Sequence, residues 1–378
     1  MPGPEPLNGF EPMTSNPLSR IMDQALDESV FPGAVLLCAR GSTILFHEAF
    51  GRAGLEQSPA MGRDFVFDLA SLTKPMVTSA LINLLIKDNR LDLDTCLGDV
   101  VSQTRNSPKA SISVNMLLRH TSGLPAYREY YKSMVRSQEL SRKALRQLLV
   151  KEPLEAAPGK HQVYSDLGYM FLAWVIETLL DQRIDRAARD LVFNPLGIKD
   201  LFFVALNQGR GVDQVPVRPS GRELRMVSSQ VCPWRKKTMT GEVDDDNAWA
   251  AGGIEGHAGL FGDALSIHRF CCEVLDGLLW RSPKVFSSRV LASFTEKKNR
   301  QEMVAGFDSP SKQRSSAGRF FSSRSVGHLG FTGTSFWIDP ETEFIVILLT
   351  NRTLFSRGNE KIKIFRPELH DTAASYFL

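Results

Sequence analysis

The sequence predicts an α/β (α+β) fold: an antiparallel sheet flanked by helices, with a mainly helical lobe inserted into it. Three observations lead there. Apolar, β-favouring runs lie near both ends of the chain, at Ala34 to Cys38, Thr43 to Phe50, Ser325 to His328, Ser335 to Ile338 and Glu343 to Thr350. Between them, from Leu69 to about Leu206, apolar residues recur at helical spacing. A hairpin is marginal alone, so strands from the two ends are expected to join one sheet.

In order along the chain, residues 1–17 read as an irregular leader, with prolines at 2, 4, 6, 12 and 17. A first helix is expected over Leu18 to Val30, behind the cap-competent Ser15 and Asn16. The first two strands are separated by Arg40, Gly41 and Ser42 and read as a hairpin. Helices follow at Met76 to Ile86, Val114 to Arg119, Arg142 to Val150, Gly168 to Leu180 and Ile184 to Val192. A last helix is expected over Glu368 to Phe377, after the late strands. The implied organisation is an α/β lobe of 18–67 plus 251–378, a mainly helical lobe of 68–250, and a site in the cleft between them.

The chain has 378 residues, 43% hydrophobic and 23% charged, ordinary globular usage that excludes disorder for most of it. A net charge of +3 is too even to advertise nucleic acid as a partner. No apolar run reaches the roughly 18 residues a membrane span needs, so no membrane partner is expected. The N-terminus lacks a basic and apolar export signal. Five scattered cysteines with no C-x-x-C pair fit reduced thiols and a cytoplasmic setting. The chain carries no signal of oligomeric state. Asp308 to Ser325 and Arg128 to Lys151 are basic stretches, read as a solvated loop and a solvated helix face.

The G-x-S-x-G, G-x-x-x-x-G-K-[ST], G-x-G-x-x-G and H-E-x-x-H signatures are absent. Ser71-Leu72-Thr73-Lys74 opens an apolar helix, and Pro75, which lacks an N–H, places it in a first helical turn. The i, i+3 spacing puts Lys74 within reach of the Ser71 hydroxyl. Ser309-Pro310-Ser311-Lys312 matches the same four-letter pattern in a loop, so position rather than pattern carries the reading. Tyr164 and Asp166 fall on a loop just before an apolar helix, and Gly327 to Ser335, with three glycines, precedes a strand and lets a substrate approach the backbone.

These segments together resemble the serine β-lactamase and penicillin-binding-protein superfamily, in its class C-like branch of esterases, D-peptidases and β-lactamase-related hydrolases. Ser71-x-x-Lys74 looks like its first motif, Tyr164-Ser165-Asp166 like Tyr-x-Asn, and His328-Leu329-Gly330 like Lys-Thr-Gly. His120 to Pro125, Asn194 to Gly197 and Gly256 to Phe261 are similar to stretches recurring there. The resemblance implies a β-lactamase/transpeptidase-like fold and an acyl-enzyme on Ser71, with Lys74 and Tyr164 sharing the serine proton. It also implies an oxyanion hole of the Ser71 and Phe331 N–H groups, supporting roles for Asp166, His328 and Gly330, and no cofactor or metal.

Two departures shape the expectation. Asp166, where the family more often has Asn, favours the ammonium form of Lys74, leaving Tyr164 as the base if the cation favours its phenolate. His328, where a Lys holds the substrate carboxylate, is mostly neutral at pH 7. The substrate expected is therefore a small neutral ester or amide, carboxylesterase-like, ahead of a β-lactam or D-alanyl-D-alanine-type peptide. A non-catalytic binding or scaffold protein of this fold, and a metal-dependent hydrolase using the acidic run with His257, are the rivals.

His120 and His257 are read as structural hydrogen-bonding residues outside the site, and Asp244-Asp245-Asp246 as a solvated loop. Trp234, Trp249, Tyr127 and Tyr130 either line the acyl pocket or pack the helical lobe.

Overall fold

The computed structural model describes residues 16–207, 215–217, 221, 225–297 and 303–378. A five-stranded antiparallel sheet draws on both ends of the chain, in the order Val326–Leu329, Ser335–Asp339, Phe344–Thr350, Gly33–Arg40, Thr43–Gly51. Ala34 pairs with Thr350 and Arg40 with Phe344, so the N-terminal hairpin is sealed against the last strand.

Gly33–Arg40 is buried almost throughout because both sheet faces are covered. Val35, Leu37, Ala39, Ile345, Ile347 and Leu349 point into the main core shared with the helical region and with helix Ala264–Leu278. Ala34, Leu36, Cys38, Val346 and Leu348 point the other way, onto helices Pro17–Asp27 and Ile362–Phe377. At about 25 cal/mol per Å² of buried apolar surface, this two-sided burial holds the sheet.

The first helix starts at Pro17 on an Asn16 cap, so the helix takes the last residue of the expected leader; positions 1–15 of that leader lie outside the described residues. The last helix starts at Ile362 rather than Glu368, with Pro367 inside it. Burial of Ile362, Phe365 and Leu369 on one stripe outweighs the hydrogen bond that proline forfeits. Among the described residues, seven short strands escape the sequence pattern, four of them in the hairpins Ala205–Asn207 with Val215–Val217 and Ser228–Cys232 with Lys237–Thr240. Phe67–Asp68, Leu260–Gly262 and Leu201–Phe203 form a second small sheet, too short to show a period of two. Among the described residues, no helix is long and apolar enough to cross a membrane.

Candidate active site

Strand Phe67–Asp68 delivers the chain into a single turn, Ala70–Leu72, that carries Ser71. A wide π-helical turn, Lys74–Ser79, follows with Pro75 in its first turn, then helix Ala80–Lys87. Such wide turns leave backbone groups free of the regular ladder. Ala70 itself has φ +47°, a left-handed conformation disfavoured for a residue with a Cβ. It is held by its N–H donating to Asp68 Oδ1 at 2.8 Å.

Lys74 is completely buried. Its ammonium donates to Ser71 Oγ at 3.0 Å and to the carbonyl oxygen of His257 at 3.2 Å, and lies 2.7 Å from Asp166 Oδ1. Asp166 is the first residue of helix Asp166–Leu180 rather than a loop residue. The Ser165 cap sets its position, and the helix N-terminus favours its negative charge. Burial pushes the Lys74 ammonium down, but the Asp166 charge and Tyr164 more than reverse this and hold it above the ordinary lysine range.

The Tyr164 ring is placed by His120, whose ring lies 4.6 Å away. His120 Nδ1 accepts the Ser165 N–H at 3.0 Å. Lys74 Nζ lies 4.8 Å from the Tyr164 ring centre. Although 37% of Tyr164 is exposed, desolvation of its phenol among the site residues pushes it above its ordinary range; Lys74 pulls it back and Asp166 pushes it further up. The cation therefore does not make Tyr164 a resting phenolate, contrary to the condition set for it as a base.

The turn Gly330 to Thr334 is clamped onto the backbone just before Ser71. Thr332 Oγ1 donates to Asp68 O at 2.8 Å and Thr334 Oγ1 to Leu69 O at 3.2 Å. A Cβ at Gly330 would fall 2.0 Å from Thr334 Oγ1 and 2.8 Å from Leu69 O, so its small size serves this clamp rather than substrate approach. Among the described residues, neither the Ser71 nor the Phe331 N–H has a hydrogen-bond acceptor.

Ser71, Tyr164, Asp166 and Phe331 line a cavity of about 320 Å³ together with Tyr127, Asp244, Asp245, His257 and Arg357. His328 is buried beside it, its ring 6.1 Å from Tyr164. Burial and the Lys74 charge push its imidazole down to about 3, so it is neutral. His120 accepts a hydrogen bond from the Ser165 N–H but also packs on Tyr164, and His257, read as outside the site, is part of it.

His257 lines the cavity, its carbonyl anchors Lys74, and its Nε2 pairs with Asp245 Oδ1 at 3.0 Å. The acidic run is not a solvated loop either. Asp244 and Asp246 are buried, and Arg357 Nη1 reaches them at 3.7 and 3.1 Å while Arg235 pairs with Asp246. The arginines that neutralise this run lie far from it in sequence or read as ordinary surface charge, and no local signal exposes them. Of the aromatic candidates, Tyr127 lines the cavity, Trp249 is core, Trp234 donates to Asp246 and Tyr130 to Glu152.

Residues 18–366 match the family model described as Beta-lactamase. A Salmonella agona (strain SL483) protein provisionally named a D-alanyl-D-alanine carboxypeptidase is 26% identical over 374 residues, covering 94% of this chain and 86% of its own. Among solved structures, EstCE1, a hydrolase with promiscuous acyltransferase activity, superposes with a TM-score of 0.70 at 20% identity, covering 95% and 97% of the two chains. A penicillin-binding protein homologue from Caulobacter crescentus gives 0.72 at 15% identity, covering 97% and 99%. At these identities the solved structures bear on the fold.

Proposed function

The chain belongs to the beta-lactamase family, within the serine β-lactamase and penicillin-binding-protein superfamily, and from that premise we propose that it is a hydrolase forming an acyl-enzyme on Ser71, with small neutral esters or amides as substrates. The observation that carries this is the 3.0 Å contact between Lys74 Nζ and Ser71 Oγ at the wall of the cavity.

In this reading Ser71 Oγ attacks the acyl carbon and its proton leaves over the Lys74 and Tyr164 side chains. With Lys74 held above its ordinary range and Tyr164 pushed above its own, the group left to receive the proton is the Asp166 side chain, 2.7 Å from Lys74 Nζ. Lys74 passes a proton to Asp166 as it takes one from Ser71, directly or by way of the Tyr164 phenol. The Ser71 and Phe331 N–H groups receive the oxyanion, each such donor contributing about 2.7–4 kcal/mol to the barrier. As the tetrahedral intermediate collapses to the ester on Ser71, the proton returns along the same path to the departing alcohol or amine, and water, giving up a proton to that path, then releases the acid and restores the Ser71 hydroxyl.

Neutral substrates are favoured because His328 supplies no cation and Arg357 is already engaged by Asp244 and Asp246. A D-alanyl-D-alanine-type peptidase is the second reading, supported by the relative's name and by a guanidinium on the cavity wall.

The test is mass spectrometry of the protein mixed separately with a short-chain p-nitrophenyl ester and with a penicillin, wild type against Ser71→Ala. An acyl adduct on Ser71 with continuing ester turnover is expected. A stable adduct without turnover would indicate a binding protein, and equal rates for wild type and Ser71→Ala would end the serine-hydrolase reading.

A further inference from the structure

We propose that Asp68 is a positioning residue of this site: one buried carboxyl from which both N–H groups assigned to the oxyanion hole are held in place. This rests on the reading of Ser71 as the nucleophile. Asp68 is 3% exposed, is absent from the cavity lining, and touches none of the groups that exchange the serine proton. What it touches is the framework behind them.

Its Oδ1 accepts the Ala70 N–H at 2.8 Å, fixing the left-handed residue immediately before Ser71. Its Oδ2 accepts the Asp244 N–H at 2.6 Å. Asp244 in turn faces Arg357 at 3.7 Å, and the Arg357 guanidinium lies 4.9 Å from the centre of the Phe331 ring. The Asp68 carbonyl takes the Thr332 hydroxyl that clamps the Phe331 turn from the other side. One oxygen thus governs the Ser71 donor, and the other governs, through Asp244 and Arg357, the residue bearing the second donor.

The carboxyl is an expensive way to make these bonds. Burial and the neighbouring Asp244 charge push it up to about 7. Two backbone donors converging on one short side chain require an acceptor at both of its tips, which a carboxylate provides and an amide does not. Asp68→Asn keeps one acceptor and turns an N–H donor toward the other backbone N–H. Asp68→Ala leaves both donors unpaired in a buried place. Neither change touches the bond made by the Asp68 carbonyl, so the side chain is tested by itself.

The experiment compares steady-state p-nitrophenyl acetate hydrolysis by wild type, Asp68→Asn, Asp68→Ala and the exposed control Asp64→Asn, each checked for a cooperative thermal transition. Displaced oxyanion donors lower kcat and leave substrate binding alone. Asp68→Ala is expected to lose about 100-fold in kcat and Asp68→Asn about 10-fold, KM staying within about threefold and Asp64→Asn matching wild type.

If Asp68→Ala does not fold, Asp68→Asn decides. A folded Asp68→Asn with kcat within twofold of wild type, a loss expressed only in KM, or failure of this isosteric variant to fold would each overturn the proposal. A wild type no faster than Ser71→Ala is a different result, the failure of the serine-hydrolase reading itself.

Discussion

The Lys74 ammonium stands 2.7 Å from Asp166 Oδ1, which gives the buried lysine a full counter-charge where the resembled motif more often supplies a neutral amide. Asp166→Asn removes the charge that holds Lys74 up, and burial then pulls it down. The variant's kcat/KM for a neutral ester should acquire a limb that rises with pH as Lys74 loses its proton. Tyr164→Phe should cost about 100-fold or more in the wild type and clearly less beside Asp166→Asn, where neutral Lys74 takes the serine proton unaided. Profiles of kcat/KM from pH 5 to 10 for the four proteins check this. Equal costs of Tyr164→Phe in both backgrounds would mean that the two groups act independently.

The parts of the molecule legible in the sequence are those whose causes are local. Ser71 and Lys74 are joined by one helical turn that Pro75 marks, and Tyr164 and Asp166 flank the Ser165 cap of a long apolar helix. The large sheet was readable because its strands are long enough to show their character. Phe67–Asp68, with two residues, has no pattern to read, although it leads into the turn that carries Ser71. Three adjacent aspartates read as solvated because Arg235 and Arg357, which neutralise them, converge only in the folded chain. The place of His257 at the site is not legible because its partner, Asp245, lies twelve positions away, beyond helix Asp246–Ala250.

The Asp245 and His257 pair makes stability depend on pH. Burial alone would lower His257, but Asp245, with help from Asp166 and against Lys74, raises it above its ordinary value; Glu255 also feels its charge. A group raised on folding stabilises fully below its unfolded value, near 6.5, and loses that contribution as pH climbs through the folded one. Asp245 is held low, despite burial, chiefly by His257, so its contribution is lost only in acid. The Tm advantage of wild type over His257→Gln should therefore be largest near pH 6 and shrink toward pH 9. A constant difference across that range, in thermal melts at fixed ionic strength, would contradict the assignment.

Arg235 should be among the costliest residues to replace. Its side chain is fully buried, pairs with Asp246, donates to the carbonyls of Val243 and Asp244 at 3.1 Å, and lies 4.8 and 5.0 Å from the rings of Trp234 and Trp249. Arg235→Met keeps much of the volume but leaves the Asp246 oxygen that it engaged with only the neutral Trp234 N–H, Arg357 standing on the other oxygen, and breaking a buried pair costs about 3–5 kcal/mol. Urea denaturation should show a loss of that size. Adding Asp246→Asn should return part of it, since the stranded charge is then gone, and strict additivity of the two substitutions would count against this account.

The neutrality of His328 predicts how the proposed site treats anionic substrates. With the imidazole pushed down to about 3 by burial and by Lys74, and its Nδ1 3.0 Å from the Leu329 carbonyl, no cation forms at this position between pH 5 and 8. Acylation by a carboxylate-bearing substrate, divided by acylation by a neutral ester of similar size, should be flat over that range. An ordinary surface histidine would make the ratio climb as pH falls through about 6.5, and such a climb is the result that would refute the assignment. His328→Lys places a side chain able to stay charged at the same point, against the cost of burial and the nearby Lys74 ammonium. Where the new ammonium reaches the cavity, one charge-assisted hydrogen bond to the substrate carboxylate should shift the ratio by about tenfold toward the anionic substrate. An unchanged ratio in His328→Lys would place carboxylate selection elsewhere on the wall, with Arg357 the residue to replace next.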